Sequence, residues 1–125
     1  MRVLLADDDR DQLSLRSMLI ARSGFDTLEA ADHESALHMA AAEKPECAVV
    51  DLRFPTEDAG LRLIRDLKQL NADIHLFVLT GADPERFRAR PERRLVDQVI
   101  VKGASSAQLL QQLRSLAKRM SGAAE

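Results

Sequence analysis

Long apolar runs are missing from this chain of 125 residues, and no stretch approaches the roughly 18 consecutive apolar residues of a membrane-crossing helix. No charged opening followed by an apolar segment stands at the amino terminus, so nothing there reads as a secretory signal. Cysteine is nearly absent. Cys47 alone cannot build a disulfide framework, and its neighbours Ala48, Val49 and Val50 mark it as a small buried thiol in a reducing compartment. Charge of one sign is lacking too: 18 Lys and Arg against 20 Asp and Glu leave a net of −2. Nothing in that total asks for nucleic acid or an anionic membrane surface. His33, His38 and His75 do not together share a metal-ligand spacing and no cysteine accompanies them, so no zinc site is expected there. No repeat, low-complexity tract or linker interrupts the chain before a small-residue tail at 121–125. The expected location is the cytoplasm.

What is present is a soluble composition, 46% apolar and 30% charged, on a chain long enough for one cored domain. That domain is expected over residues 1–120, with 121–125 a short flexible tail. Short apolar runs alternate with helical patterns. Arg2–Ala6 (RVLLA), residues 48–50 and residues 74–79 (IHLFVL) read as strands buried on both faces, as parallel strands are. Residues 25–30 are more mixed and read as an edge strand, and residues 98–101 carry a fifth in Val99, Ile100 and Val101.

Helices fill the gaps. Asp9 and Gln12 have capping-box spacing ahead of Leu15, Met18 and Leu19, and Gly24 supplies the stop. Asp32 caps a second helix that Pro45 ends; Leu63, Ile64, Leu67 and Leu70 stripe a third; Asp83 and Pro84 start a fourth. Ser105 and Gln108 repeat the capping-box spacing before Leu109, Leu110, Leu113, Leu116 and Ala117. Five βα units in sequence imply a parallel sheet with right-handed crossovers and helices on both faces. Ligands of such sheets gather at the carboxyl ends of the strands.

Four of the strands end in residues that can handle a phosphoryl group: Asp7 and Asp8, Asp51, Thr80, and Lys102. Parallel packing brings those ends to one edge. Three carboxylates that close repel one another and stay ionised only beside a cation. Oxygen ligands suit a hard divalent ion, and Mg²⁺ binds few carboxylates while keeping several waters. Asp51 can then attack phosphorus as a carboxylate nucleophile. The ion and Lys102 offset charge on the phosphoryl oxygens, and the Thr80 hydroxyl can donate to one of them. Gly81 leaves room for the donor to approach.

On these residues the chain resembles a response-regulator receiver domain of two-component signalling. The stretches that carry the likeness are VLLADDD (3–9), VVDLRFP (49–55), FVLTG (77–81) and VIVKG (99–103). Each is weak alone, and their order and spacing together are specific. The resemblance implies a flavodoxin-like doubly wound (βα)5 fold with strand order 2-1-3-4-5, free-standing or the amino-terminal part of a longer regulator. It implies Asp51 as phosphoacceptor, Asp7, Asp8 and Asp51 with the backbone carbonyl of Arg53 as Mg²⁺ ligands, and Thr80 and Lys102 in support. It implies a sensor histidine kinase or phosphotransfer protein as donor, a downstream protein as effector, and slow hydrolysis of the acyl phosphate. The domain then takes part in its own phosphorylation and dephosphorylation without being a conventional enzyme.

Several positions depart from the family pattern. Gly103 stands where a proline, usually in a cis bond, follows the lysine, which leaves open the geometry of the Lys102–Gly103 bond. Val99 replaces the Tyr or Phe that rotates on activation, and the loop 55–60 (PTEDAG) is one residue longer than is usual in the family. Residues 83–97 hold five arginines, and Pro91 breaks any helix there, so a short, loosely packed fourth helix ending near Ala89 is expected. In receivers this face, with the last strand and helix, is where activation is read out. Asp83, Glu85, Glu92 and Asp97 nearly cancel the arginines, so a mixed-charge surface is expected rather than direct nucleic-acid binding. No membrane contact is expected, and the last helix offers a face for a homodimer. Two other functions stay open: a pseudo-receiver that docks partners without phosphorylation, and a phosphohydrolase like the haloacid dehalogenases, with Asp7 and Asp9 as its leading aspartates. Against the hydrolase, Asp11 is the wrong residue for that pattern and Asp51 is left without a role.

Overall fold

The computed structural model describes residues 1–81, 83–102 and 106–122. Five strands, β1 (Arg2–Ala6), β2 (Asp26–Ala30), β3 (Cys47–Asp51), β4 (His75–Thr80) and β5 (Gln98–Val101), form one parallel sheet in the order β2-β1-β3-β4-β5. The helices are α1 (Arg10–Arg22), α2 (His33–Glu43), α3 (Glu57–Leu70), α4 (Pro84–Arg88) and α5 (Ser106–Gly122), with a 3₁₀ turn over Pro91–Leu95. This is the doubly wound (βα)5 architecture expected from the alternation of patterns.

Alternation along the strands divides the interior in two. Leu4, Ala48, Val50, Leu76 and Val78 point into a core shared with Ala36 and Ala40 of α2 and Leu63, Ile64 and Leu67 of α3. Val3, Leu5, Cys47, Val49, Phe77 and Leu79 point the other way, against Leu13 and Ile20 of α1 and Leu109, Leu113 and Leu116 of α5. Successive residues facing opposite sides is what a pleated strand dictates, and each fully buried Leu or Phe contributes about 1.5–3 kcal/mol.

Local chemistry sets the helix ends. The Asp9 carboxylate accepts from the N–H groups of Asp11 and Gln12, Asp32 from Ser35, Thr56 from Ala59, and Asp83 from Arg86. Each satisfies donors that a helix start leaves free. Gly24 follows α1 at φ +96°, in the left-handed region. The expected Ser105 cap of α5 and the Lys102–Gly103 bond lie outside the described residues, as do 123–125 at the end of the tail; α5 itself runs past Ser121 to Gly122.

Three readings are corrected. The buried face of α1 is Leu13, Ser17 and Ile20, whereas Leu15 and Met18 are more than half exposed. Ser17 tolerates the interior because its hydroxyl is hydrogen-bonded to that of Thr27 at 2.8 Å. Leu70, at the end of α3, is exposed while Leu61 is buried in its place. α4 is short and stops before Ala89, but it is not loose: Phe87 is fully buried in the α2–α3 core. Beyond it the 3₁₀ turn buries Glu92, whose Oε2 accepts from Arg65 of α3 at 2.7 Å. Among the described residues, no helix is long and apolar enough to cross a membrane.

Candidate functional site

Strand register brings the acidic residues together. Ala6 lies opposite Val50, so Asp7 and Asp8 leave β1 beside Asp51, the last residue of β3. One carboxylate oxygen from each of Asp7, Asp8 and Asp51 falls within 4.8 Å of the others. Asp7 and Asp51 are buried and Asp8 is exposed, so the cluster opens outward through Asp8. Asp9, the third aspartate of the run, is the α1 cap.

The two buried carboxylates are held at both oxygens. Asp51 Oδ1 accepts the Arg53 N–H at 3.1 Å, and its Oδ2 accepts from the Lys102 ammonium. Asp7 Oδ1 accepts the Asp9 N–H at 2.9 Å, and its Oδ2 accepts from the Arg16 guanidinium at 2.9 Å. Burial pushes the Asp51 carboxyl above its usual range; Lys102 and the Arg53 N–H pull against that, and the negative charge of Asp7 adds to it.

On β4 and β5, Thr80 lies opposite Val101, which sets Lys102 one step beyond Thr80 at the same sheet edge. The Lys102 N–H donates to the Thr80 carbonyl at 2.6 Å, fixing the backbone from which the ammonium reaches Asp51. Thr80 itself is buried. Beside Asp51 a cleft of about 500 Å³ is lined by Arg53, Glu57, Gly81, Asp83, Arg86 and Lys102. Arg86 of α4 stands 3.6 Å from Glu57 of α3 across that opening.

A divalent ion suits this donor set. Three carboxylates converge, two of them buried, and hard oxygen donors at this separation match the ligand chemistry of Mg²⁺ or Ca²⁺. The Arg16 contact and the Arg86–Glu57 pair were not legible as parts of the site. A long side chain nine residues after Asp7 gives no sequence signal of its own until α1 is docked on the sheet.

The family model described as "Response regulator receiver domain" matches residues 3–114. The chain belongs to the response-regulator receiver domain family. Like this receiver domain over 95% of its length is the response regulator MprA of Mycobacterium avium, 30% identical across 119 residues that make up 52% of that protein. The alkaline phosphatase synthesis transcriptional regulatory protein PhoP of Bacillus subtilis is 33% identical over 84 residues, 67% of this chain and 35% of that one. The receiver domain thus spans about half the length, or less, of these curated relatives. Among solved structures, a response regulator from Burkholderia pseudomallei with a phosphorylated aspartic acid, calcium ion and citrate superimposes with a TM-score of 0.79. It is 29% identical, over 97% of this chain and 71% of that one.

Proposed function

We infer that this receiver domain accepts a phosphoryl group on Asp51 from a phosphohistidine of a sensor kinase or phosphotransfer protein. The observation that carries the reading is the meeting of Asp51 with Asp7 and Asp8 within 4.8 Å while Lys102 holds an Asp51 oxygen. In the transfer, an Asp51 oxygen forms the new bond to phosphorus as the bond to the donor nitrogen breaks, and the imidazole leaves with the electron pair. Asp7, Asp8, Asp51 and the Arg53 carbonyl would hold Mg²⁺, which supplies charge neutralisation for the phosphoryl oxygens. The Lys102 ammonium binds one of those oxygens after leaving its carboxylate partner, and the Thr80 hydroxyl donates to another. Gly81 lines the cleft beside Asp51, and a Cβ there would meet nothing among the described residues within 4 Å, which leaves open space for an incoming donor. The phosphorylated aspartate and calcium ion in the Burkholderia regulator support this assignment.

Residues 1–120 form the receiver unit in this reading, and its output is a changed contact with a downstream protein through the α4, β5 and α5 side. The apolar face that α5 offers a second copy is small, since Leu109, Leu113 and Leu116 are already committed to the core.

A hydrolase working through Asp7 is disfavoured because its second aspartate, Asp9, is spent as the α1 cap and Asp51 beside Lys102 is left without a role. The test is incubation with acetyl phosphate in Mg²⁺ or in EDTA, followed by intact mass measurement. A Mg²⁺-dependent, slowly decaying single adduct is expected, absent in Asp51→Asn. Mg²⁺ uptake without any adduct would mark a pseudo-receiver, and phosphate release without adduct would mark a hydrolase.

A further inference from the structure

The acidic cluster carries two built-in cations, and they face different members of it. Lys102 sits on Asp51, where the phosphoryl group would arrive. Arg16 comes off α1 and sits on Asp7, which takes no part in bond making. Arg16 is mostly withdrawn from solvent, with 17% of its side chain exposed against 1% for Asp7. Among the described residues Asp8 has no hydrogen-bonded or ionic partner, so the metal-free cluster sets three carboxylates against two cations. A guanidinium and a divalent ion placed among these carboxylates both draw on the same Asp7 charge.

We propose that Arg16 is a tethered counter-ion that competes with the divalent ion at Asp7 and thereby sets the affinity of the site for metal. The proposal rests on the reading of Asp7, Asp8 and Asp51 as a divalent-ion site. Without Arg16 the cluster gains one uncompensated negative charge, which attracts a cation more strongly. The same change strips a buried carboxylate of its partner, which weakens the metal-free fold. The two effects have opposite signs. A residue that only braces α1 would weaken the protein with and without metal alike, so the pair of measurements separates competition from bracing. α1 has a second tie to the sheet in the Ser17–Thr27 hydroxyl pair, 2.8 Å long, which keeps the helix docked while the Arg16 side chain turns away.

Calorimetric titration of the full chain with MgCl₂ tests this, using wild type, Arg16→Leu, Arg16→Gln and Arg16→Lys, each checked for native circular dichroism. Arg16→Leu and Arg16→Gln are expected to bind Mg²⁺ about threefold more tightly or better, with Arg16→Lys close to wild type. The metal-free melting temperature should fall in both neutral variants, and the rise produced by saturating Mg²⁺ should grow. Equal or weaker Mg²⁺ binding in both neutral variants overturns the proposal. Asp7→Asn separates the two levels. If it binds Mg²⁺ as wild type does, the ion-site reading fails and takes the proposal with it. If it loses binding while Arg16→Leu and Arg16→Gln match wild type, the ion site stands and only the role of Arg16 falls.

Discussion

Gly60 faces the backbone of Leu52 with no room for a side chain: a Cβ on Gly60 would lie 1.8 Å from the Leu52 carbonyl oxygen. The contact closes the loop that leads from Asp51 into α3 and fixes the residues just past the phosphoacceptor. Gly60→Ala gains up to about 1 kcal/mol of helix propensity, but the backbone must move to admit the methyl group. Overpacking of that kind costs about 1–3 kcal/mol, so a net loss of stability is expected in urea denaturation. An unchanged or raised midpoint would show that the loop yields freely.

Lys102 and Asp51 make a second testable pair. Removing the ammonium in Lys102→Ala takes away a positive group that would meet the phosphoryl oxygens. The rate of labelling by acetyl phosphate should fall by roughly tenfold or more. Mg²⁺ affinity should hold or rise, since negative charge in the cluster is less compensated. Loss of Mg²⁺ binding in this variant would mean that Lys102 supports the pocket structurally instead.

Glu92 predicts a pH dependence away from the site. Burial opposes its charge, but its own backbone N–H together with Arg65 and Arg90 outweigh that and hold its carboxyl below the usual range. A depressed folded value means the stabilisation is complete above about pH 4.5, the ordinary glutamate value, and is lost as pH falls through the folded one. Glu92→Gln should therefore destabilise by about 1–2 kcal/mol at pH 7, discounted for the half-exposed Arg65, with the difference shrinking at lower pH. Thermal melts of both proteins from pH 7 to pH 3 provide the check. A pH-independent difference would assign the effect to packing alone.

Cys47 is fully buried at the start of β3, and burial pushes its thiol far above the ordinary range, with Asp97 and Glu46 adding to the effect. The thiolate is the reactive form, so native protein should resist iodoacetamide near neutral pH and react once unfolded in urea. Labelling of the native chain as fast as the unfolded one would contradict the buried placement.

Much of the fold could be read from residue patterns because strand burial is nearly complete. Leu4, Ala48, Val50, Leu76 and Val78 on one side, and Val3, Leu5, Val49, Phe77 and Leu79 on the other, leave unbroken apolar runs. Asp9, Asp32 and Asp83 announced helix starts through chemistry confined to three or four residues. What escaped depended on partners distant in sequence. Ser17 looks wrong for an interior face until Thr27 is beside it, so the residue pattern points to Leu15, Met18 and Leu19 instead. The 3₁₀ turn after α4 depends on a buried Glu92 that is acceptable only with Arg65 reaching over from α3. The carboxylate cluster was legible because parallel topology alone fixes where strand ends meet. Arg16 was not, because its reach depends on how α1 docks.

The central claim is that Asp51, and no other carboxylate in the cluster, becomes the acyl phosphate. The most direct measurement is borohydride trapping of acetyl-phosphate-treated protein in Mg²⁺, with the reduced residue located by peptide mass spectrometry. Reduction to homoserine at position 51, dependent on Mg²⁺, is the predicted result. Homoserine at position 7 or 8, or none under conditions that produce a stable adduct elsewhere, would contradict it.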